Sequence, residues 1–276
     1  RWPFDILHVH NIAPGGHAAS GWARRHAPAF IVSAHGPDII HVPHRSLIGR
    51  HAVRMALNAA DRVLANSSWS ARRCEELAQR TLPISVVHLG ATPVEHAPPG
   101  ETIRLITVAH LQARKHHATV LRALAGLEVE YVIVGDGEER SSLERLARDL
   151  GVRAEFRGQL PNDLAIAEIA RSDLFVMPGV EEPFGVAFVE AMAAGVPVIG
   201  GRGEGGPEDI AASGEGMLLV TPGDVGELAA LLKRLIADRA QLVRLGMAAR
   251  RTVETSFTWE RCGERTVAAY REALRR

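Results

Sequence analysis

The chain has 276 residues, of which 46% are hydrophobic and 23% are charged. This length leaves room for one large domain or two modest ones, and the composition excludes a disordered or fibrous chain. Lys plus Arg and Asp plus Glu both number 32, so the formal net charge is zero. A zero balance excludes the overall positive charge typical of nucleic-acid-binding proteins, although a local basic patch would escape this count.

Cysteine usage and hydropathy bear on the cellular compartment. Cys74 and Cys262 are too few for a disulfide scaffold or a zinc cluster, which favours a reducing environment. The sequence contains no run of 18 apolar residues, so it predicts no transmembrane helix. We therefore expect a cytoplasmic protein without a nucleic-acid partner.

The first hundred residues alternate between short β-branched runs and segments with helical spacing. Strands are predicted at Ile6–His10, Phe30–Ala34, Arg62–Ala65 and Ser85–Leu89, and helices at Ala18–His26, Ser46–Ala60 and Ser68–Arg80. The prolines and glycine of Ala91–Glu101 then forbid regular structure. This segment predicts a boundary between a first domain, residues 1–96, and a second domain, residues 97–276.

The second domain repeats the alternation. Strands are predicted at Arg104–Ala109, Tyr131–Val134, Ala154–Arg157, Leu174–Met177, Val196–Ile199 and Met217–Val220. Helices are predicted at Lys115–Gly126, Glu138–Leu150, Asp163–Ala170, Val186–Ala194, Pro207–Ala212 and Asp224–Asp238, and from about Gln241 to the end with a break near Thr255–Thr258. This alternation predicts an α/β fold with two Rossmann-like lobes facing across a cleft, and ligands beyond the carboxyl ends of the strands.

Two glutamates flank a predicted helix start in the run 178–197. Glu182 precedes the helix, and Glu190 lies eight residues later along it. The free backbone amides of such a helix start form an anion site. The spacing alone fits two readings: a pair of carboxylates addressing one ligand, or a capping Glu followed by a solvated helical Glu.

The residues of this run resemble the E-x7-E segment of the retaining group-1 glycosyltransferases, which have the two-lobed GT-B fold. Further segments resemble that family in the right order along nearly the whole chain. They are Asp5–His10, Val32–Asp38, Ala65–Ser68, Val86–Gly90, Ile103–Lys115, Tyr131–Glu138, Phe156–Pro161 and Gly205–Ile210.

The resemblance implies roles for individual residues in binding a nucleotide-sugar donor. Glu182 would face the donor sugar, Glu190 would bind the ribose, and Lys115 would clamp the diphosphate. The usual arginine partner of the lysine is His110 here, so either a protonated His110 or Arg114 would take its place, because neutral His is a poorer phosphate ligand than Arg. The other implied donor contacts are Pro183, Phe184, Gly185 and Val186 at the helix start, and Gly158, Gln159 and Leu160 at the base. His35, from the first lobe, would lie beside the reacting sugar.

The resemblance further implies transfer of a hexosyl group from a UDP- or GDP-linked sugar with retention of configuration. The leaving phosphate would take the proton of the acceptor, which could be a glycan, a lipid or a small molecule. The resemblance also implies that no metal and no other cofactor is needed. The sequence contains no Asp-x-Asp motif that could hold a metal, and Asp136–Glu138 is interpreted as a turn.

The first lobe is expected to be partial. Family members begin with elements ahead of the strand Ile6–His10, and their last helix, about 259–276 here, crosses back to the first lobe. A lobe that lacks strands would expose a sheet edge, which favours a homodimer or a partner chain. The alternatives are therefore a non-catalytic nucleotide-sugar-binding module that needs another chain, or an epimerase or phosphorylase relative. Peripheral association with the inner membrane face remains open.

Overall fold

The computed structural model describes residues 4–27, 29–97 and 100–275. They form two compact units. The first comprises the chain up to Leu89, Glu182–Phe184 and the chain from Trp259 onward; the second comprises Gly90–Glu181 and Gly185–Thr258. The outer ends of the predicted domains, Arg1 and Arg276, and Pro98 and Pro99 of the predicted linker lie outside the described residues. The predicted boundary after residue 96 stays a prediction.

The first unit contains a four-stranded parallel sheet in the order β1-β2-β3-β4. Its strands are Ile6–Val9, Ala29–Ala34, Arg62–Ala65 and Ile84–Val86. Every residue of the central strand β2 is buried, as expected for a parallel strand covered on both faces. The described strands thus follow the order of the sequence, and β1 and β4 are the edges.

Five helices cover this sheet within the described part of the first unit. They are α1 (His17–His26), α2 (Pro37–Arg45), α3 (Leu47–Ala59), α4 (Ser68–Ala78) and α12 (Trp259–Leu274). The sequence pattern missed α2, because Pro43 reads as a helix breaker although it lies in the last turns of this helix. Ser46 separates α2 from α3, and its hydroxyl accepts a hydrogen bond from the backbone N–H of Gly49.

The second unit contains a six-stranded parallel sheet in the order β10-β9-β8-β5-β6-β7. In chain order, its strands β5 to β10 are Arg104–Val108, Glu130–Val134, Ala154–Gly158, Leu174–Met177, Val198–Gly201 and Met217–Val220. The strand predicted to begin at Val196 begins at Val198, because Pro197 has no N–H to donate to the sheet. The prediction of α/β architecture with parallel sheets is confirmed.

Seven helices of the second unit pack around this sheet in the described residues. They are α5 (His117–Leu124), α6 (Arg140–Asp149), α7 (Asn162–Ala170), α8 (Val186–Ala193), α9 (Gly205–Ser213), α10 (Val225–Ala237) and α11 (Arg239–Ser256). Tyr131, Phe175 and Phe188 are fully buried in its core. No helix in the described ranges combines the length and apolarity needed to cross a membrane.

The strand order of the second sheet reverses between β5 and β8. From β5 the chain proceeds through β6 to β7, and then returns to the other side of β5 with β8, β9 and β10. In open parallel sheets, ligands bind in the crevice beyond the carboxyl ends of the strands at such a reversal. The strand order therefore predicts a ligand site at the two turns that follow β5 and β8.

Candidate functional site

The turn after β5 carries three of the predicted donor-binding residues. His110 is exposed, Arg114 is half-buried, and Lys115 is only 8% exposed. The helix predicted to start at Lys115 starts at His117, since a short 3-10 turn ends at Lys115 and His116 adopts a left-handed conformation with φ 56°. This break places the three cationic or potentially cationic side chains on the turn itself, ahead of α5.

The turn after β8 is tied to the turn after β5. The backbone N–H of Val180 donates to the carbonyl oxygen of Arg114 over 2.7 Å, and Nη1 of Arg114 donates to the carbonyl oxygen of Glu181 over 3.2 Å. At Gly179 a Cβ atom would stand 2.8 Å from the Arg114 carbonyl oxygen, so only glycine permits this approach. Arg114 thus braces the two turns against each other at the reversal in strand order.

The glycines of the turn after β6 permit a similar close approach. A Cβ on Gly135 would lie 2.0 Å from the carbonyl oxygen of Ala109, directly before His110. Gly135 also donates its N–H to the carbonyl oxygen of Gly158 over 2.8 Å. Gly158 ends β7, and Gln159 and Leu160 follow it with exposed and half-buried side chains. The segment predicted to contact the base therefore adjoins the turn that borders His110.

Helix α8 begins directly after Gly185, which has a φ of 81°. Gly185 is the N-cap residue and has no side chain with which to cap this helix start. The first amide groups of an α-helix have no partner within the helix, and the helix dipole adds partial positive charge there. The helix start at Val186 can therefore bind an anionic group.

Glu190 lies on α8, two turns beyond the helix start. The side-chain amide of Asn162, at the start of α7, donates to its carboxylate over 3.5 Å. Burial raises the pKa of Glu190 above its usual value, and the hydrogen bond from Asn162 partly opposes that shift. Asn162 is a site residue that sequence reasoning missed, because its contact with Glu190 bridges 28 residues of chain.

His117 supports the turn after β5 from within the core. Its side chain is fully buried, and Nε2 lies 3.1 Å from the carbonyl oxygen of His110. Burial lowers the pKa of His117 to about 4, so the ring is neutral at pH 7. A neutral ring with its proton on Nε2 donates to His110 and fixes the backbone at the mouth of the site.

In the first unit, His35 directly follows β2. Asp38 is 1% exposed, and its Oδ1 accepts from the backbone N–H groups of His35 at 3.1 Å and Gly36 at 2.9 Å. Burial lowers the pKa of His35, while the charge of Asp38 partly opposes that shift. The ring of His35 stacks against that of His10 with their centroids 5.8 Å apart. Asp38 thus holds the turn that carries the predicted sugar-facing histidine.

Glu182, Pro183 and Phe184 belong to the first unit, although they connect β8 to α8 of the second. Phe184 is 1% exposed, and its ring stacks on that of His88 with centroids 5.7 Å apart. A Cβ on Gly36 would stand 2.6 Å from Cγ of Pro183. The segment therefore packs against the turn that bears His35, which brings Glu182 to that part of the first unit.

A cavity of about 200 Å³ opens in the first unit beyond its strands. It is lined by residues that follow β1, β2 and β3, namely His10, His35 and Asn66, and by Trp259 at the start of α12. Trp259 is not among the predicted site residues, although the family resemblance places the last helix at the first lobe. Among the described residues, no group of three or more His, Cys, Asp or Glu is arranged to hold a metal ion.

The structure thus arranges the predicted residues in two groups. His110, Arg114, Lys115, Gly185, Val186 and Glu190 belong to the second unit, at or beside the reversal in strand order, and Gly158 to Leu160 follow its edge strand β7. His35 and Glu182 to Phe184 belong to the first unit.

Comparison with known protein families covers both units. Residues 91–252 match the model of the glycosyl transferases group 1 family, and residues 1–93 match glycosyltransferase family 4. The chain belongs to the group 1 glycosyltransferases. The resemblance noted in the sequence is confirmed, and this membership supports a glycosyltransferase function of the group 1 type.

Individual relatives agree with the family assignment. The chain is 29% identical to the 2-deoxystreptamine glucosyltransferase of Streptomyces kanamyceticus, over 99% of this chain and 79% of that protein. It is 35% identical to a GDP-mannose-dependent monoacylated alpha-(1-6)-phosphatidylinositol monomannoside mannosyltransferase of Corynebacterium glutamicum, over 57% of this chain and 44% of that protein. The chain therefore spans most of the first relative and less than half of the second.

A solved structure supports the fold. The Anabaena protein HepE in complex with UDP and glucose superposes with a TM-score of 0.82, over 97% of this chain and 77% of that chain, at 24% identity. This similarity shows a GT-B fold with two Rossmann-like lobes.

Proposed function

We propose that the chain transfers a hexosyl group from a UDP- or GDP-linked sugar, with retention of configuration and without a metal ion. The observation that carries the proposal is the position of Lys115, buried in the turn after β5 where the strand order reverses beside β8. A lysine ammonium at this edge of the sheet, where ligands of such folds bind, supplies a compact positive charge for the phosphates of the donor.

The leaving group of such a transfer is a nucleoside diphosphate, which gains negative charge as the glycosidic bond breaks. Lys115 and the backbone amides at Val186 supply fixed positive charge for it. Groups fixed in advance where charge develops stabilise a transition state more than mobile water does. We assign Arg114 to bracing the turns through Glu181 and, with its remaining donors, to the phosphate; His110 joins it when protonated.

The nucleoside is assigned to the second unit as well. Glu190, half-buried beside Asn162, accepts hydrogen bonds from the ribose hydroxyls. The backbone of Gly158, Gln159 and Leu160 contacts the base. The Anabaena protein HepE, solved in complex with UDP and glucose, and the relative named as GDP-mannose-dependent support a nucleotide-linked donor of either kind.

The sugar and the acceptor are assigned to the first unit, which in this proposal corresponds to residues 1–96 with the last helix, and the donor domain to residues 97–276. Glu182 faces the sugar and His35 lies beside it, while the acceptor occupies the cavity lined by His10, Asn66 and Trp259. Retention follows when the acceptor attacks from the face that the phosphate leaves, and the phosphate then takes its proton. The acceptor is a glycan, a lipid or a small molecule.

Release of nucleotide from sugar nucleotides tests this function. Purified protein is incubated with UDP-glucose, UDP-galactose or GDP-mannose and a panel of glycan, lipid and aminocyclitol acceptors, and free UDP or GDP and the anomeric configuration of the product are measured. Acceptor-dependent release with a retained product supports the proposal. If the protein binds a donor but releases no nucleotide with any acceptor, the result would contradict the proposal and favour a non-catalytic module that requires another chain. An inverted product would contradict the mechanism.

A further inference from the structure

A cavity of about 300 Å³ lies in the second unit, at the end of the sheet opposite the candidate donor site. Asp173 and Pro197 line it, and they directly precede β8 and β9, whereas the donor-site turns follow β5 and β8. Because the strands are parallel, the four residues of β8 place roughly 13 Å of strand between the two sites. All the residues that line the cavity belong to the second unit, and the function proposed above assigns no role to them.

Two contacts hold α11 along this cavity. At the start of the helix, the guanidinium group of Arg239 donates hydrogen bonds to the carbonyl oxygens of Gly100, over 2.7 Å, and of Glu101. Seven residues later, roughly 10 Å along the helix, a Cβ atom on Gly246 would lie 2.1 Å from the carbonyl oxygen of Gly195. A shift of α11 that closed the cavity would therefore break one of these contacts.

The wall that α11 contributes to the cavity is apolar. Leu242, Val243 and Met247 line it, and the last two remain 54% and 59% exposed. Gly195 and Pro197, on the other side, also offer no polar side chain. Small-molecule sites are concave and mostly apolar, with a few polar groups that fix the orientation of the ligand, and the volume of this cavity suits a small ligand of that kind.

The charged side chains at the cavity are mainly cationic. Arg239 uses two of its five N–H groups on backbone carbonyl oxygens and forms no ion pair within the described ranges. Arg250 also has donors left, beyond those that bind a backbone carbonyl oxygen and Glu254. Asp173 supplies one negative charge, and its Oδ2 accepts from the backbone N–H of Arg104 over 2.8 Å. The two arginines therefore favour an anion, and Asp173 favours a singly charged one.

We propose that this cavity binds a small amphipathic monocarboxylate, a molecule with an apolar body and a single carboxylate group. The apolar body packs on Val243 and Met247, and the carboxylate accepts hydrogen bonds from the remaining donors of Arg239 and Arg250. Guanidinium groups bind carboxylates through charge-assisted hydrogen bonds that are about twice as strong as neutral ones. A stable protein interface buries roughly 800 Å² on each partner, far more than this cavity offers.

The same arginines connect the cavity to the predicted linker, Ala91–Glu101. Arg250 donates to the carbonyl oxygen of Val94 over 3.1 Å, Arg239 holds the end of the linker, and His96 lines the cavity itself. A carboxylate that is bound by both guanidinium groups therefore stiffens the segment that connects β4 to β5. This inference uses no residue of the assigned donor site and does not rest on the proposed function.

Calorimetric titration of the whole chain with four probes tests the proposal. Decanoate carries both the apolar body and the charge, decanol lacks the charge, butyrate lacks most of the apolar body, and decyltrimethylammonium carries the opposite charge. The variants are Arg239→Gln and Val243→Asp. Their matched controls are Arg251→Gln, which changes an exposed arginine of α11 outside the cavity lining, and Leu164→Asp on α7, where the side chain is 51% exposed.

We expect one decanoate to bind per chain, about tenfold more tightly than any other probe. Arg239→Gln and Val243→Asp should each weaken decanoate binding about tenfold, since one removes a charge-assisted hydrogen bond and the other adds a negative charge beside the carboxylate. The controls should bind like wild type, and melting curves verify the fold. Val243→Asp decides the test if Arg239→Gln, which also loses its bonds to the linker, fails to fold.

Hydrogen exchange with and without decanoate tests the effect on the linker. The amides of Val94 and Ala97, which donate to carbonyl oxygens of the second unit, should exchange more slowly, with His110–Lys115 and Val186–Glu190 unchanged. Unchanged exchange in the linker despite binding would refute the stiffening.

Three results would overturn the site itself. They are equal affinity for decanoate and decanol, wild-type affinity in Val243→Asp, and no binding of decanoate. The last includes a wild type whose self-association is lost in Val243→Asp, because the cavity would then be covered by a second copy of the chain. None of these results bears on nucleotide release from a sugar donor, so the two proposals fail separately.

Discussion

The two sheets of this protein share parallel strands and helical cover but differ in how the strand order runs. The four described strands of the first unit follow one another in sequence, whereas the six strands of the second reverse between β5 and β8. At a reversal, the connections leave the sheet on opposite faces and open a crevice. The second sheet therefore has a binding site built into its topology, while the cavity of the first unit depends on α12 as well.

The side chains that follow the strands also differ in charge between the two units. The second unit presents Lys115, Arg114 and the backbone amides at the start of α8 at the reversal in strand order, which suits the permanent charge of a diphosphate. The first unit presents His35, whose pKa burial lowers, so that its ring is neutral at pH 7. We therefore propose that the second unit binds the phosphates and that the first unit contacts the neutral sugar and the acceptor.

Removing the charge of Lys115 is the strongest test of this division. We expect Lys115→Met, which keeps the apolar stem, to lower the transfer rate about 10²- to 10³-fold, as the loss of one preorganised charge-stabilising donor does elsewhere. Lys233→Met removes the other lysine of the chain and should leave the rate unchanged. Steady-state kinetics measures the rates, and melting curves verify the fold. A Lys115→Met variant with wild-type turnover would remove the basis of the phosphate assignment.

Glu182 of the first unit has a matched control in its chain neighbour Glu181, the residue of the second unit that precedes it. Glu182→Gln should lower turnover about a hundredfold while the affinity for UDP or GDP stays unchanged, since this residue is assigned to the sugar and not to the nucleotide. Glu181→Gln should change neither quantity, because the contact of Glu181 with Arg114 uses its backbone carbonyl. Turnover is measured at saturating donor, and affinity by calorimetry. A loss of nucleotide affinity in Glu182→Gln would contradict the division between the units.

Glu190 should behave in the opposite way to Glu182. We expect Glu190→Gln to weaken nucleotide binding about tenfold, the value of roughly one charge-assisted hydrogen bond, and to leave turnover at saturating donor near wild type. Asn162→Ala should weaken binding less, because it only positions the carboxylate. Calorimetric titration with UDP and GDP measures both. Unchanged affinity in Glu190→Gln would refute the ribose assignment.

The raised pKa of Glu190 predicts a smaller effect of pH. Because burial disfavours the charged form, Glu190 takes up a proton at a higher pH than an exposed Glu. The ribose hydroxyls bind the carboxylate, so nucleotide affinity should fall as the pH drops through this pKa, by less than tenfold per pH unit. The decline should be absent in Glu190→Gln, and titrations from neutral to mildly acidic pH measure it. A decline that persists in the variant would assign the proton to another group.

Local sequence signals were sufficient for most of the fold. Short β-branched runs between glycine-rich turns marked the strands, and Leu174–Met177 and Met217–Val220 were predicted residue for residue. The errors occurred where backbone chemistry overrides the pattern. The left-handed His116 delays α5 by two residues, and α2 forms despite Pro43.

The candidate site was only partly accessible from the sequence. The resemblance to family motifs singled out Lys115, Glu182 and Glu190, whereas the spacing of the two glutamates alone left two interpretations open. Asn162 and Trp259 left no such signal, since they reach the sites only through contacts between distant parts of the chain. The reversal in strand order is also invisible to local patterns, because it arises from how strands pair.

Hydrogen exchange with and without nucleotide tests most directly whether the nucleotide binds at the reversal in strand order of the second sheet. Amide exchange is followed by mass spectrometry in the free protein and at saturating UDP or GDP. The account predicts slower exchange at His110–Lys115 and Val186–Glu190, in the turns and helix beside the reversal between β5 and β8, with strands β1 to β4 unchanged. Protection confined to the first unit, or no protection by either nucleotide under conditions that support transfer, would contradict it.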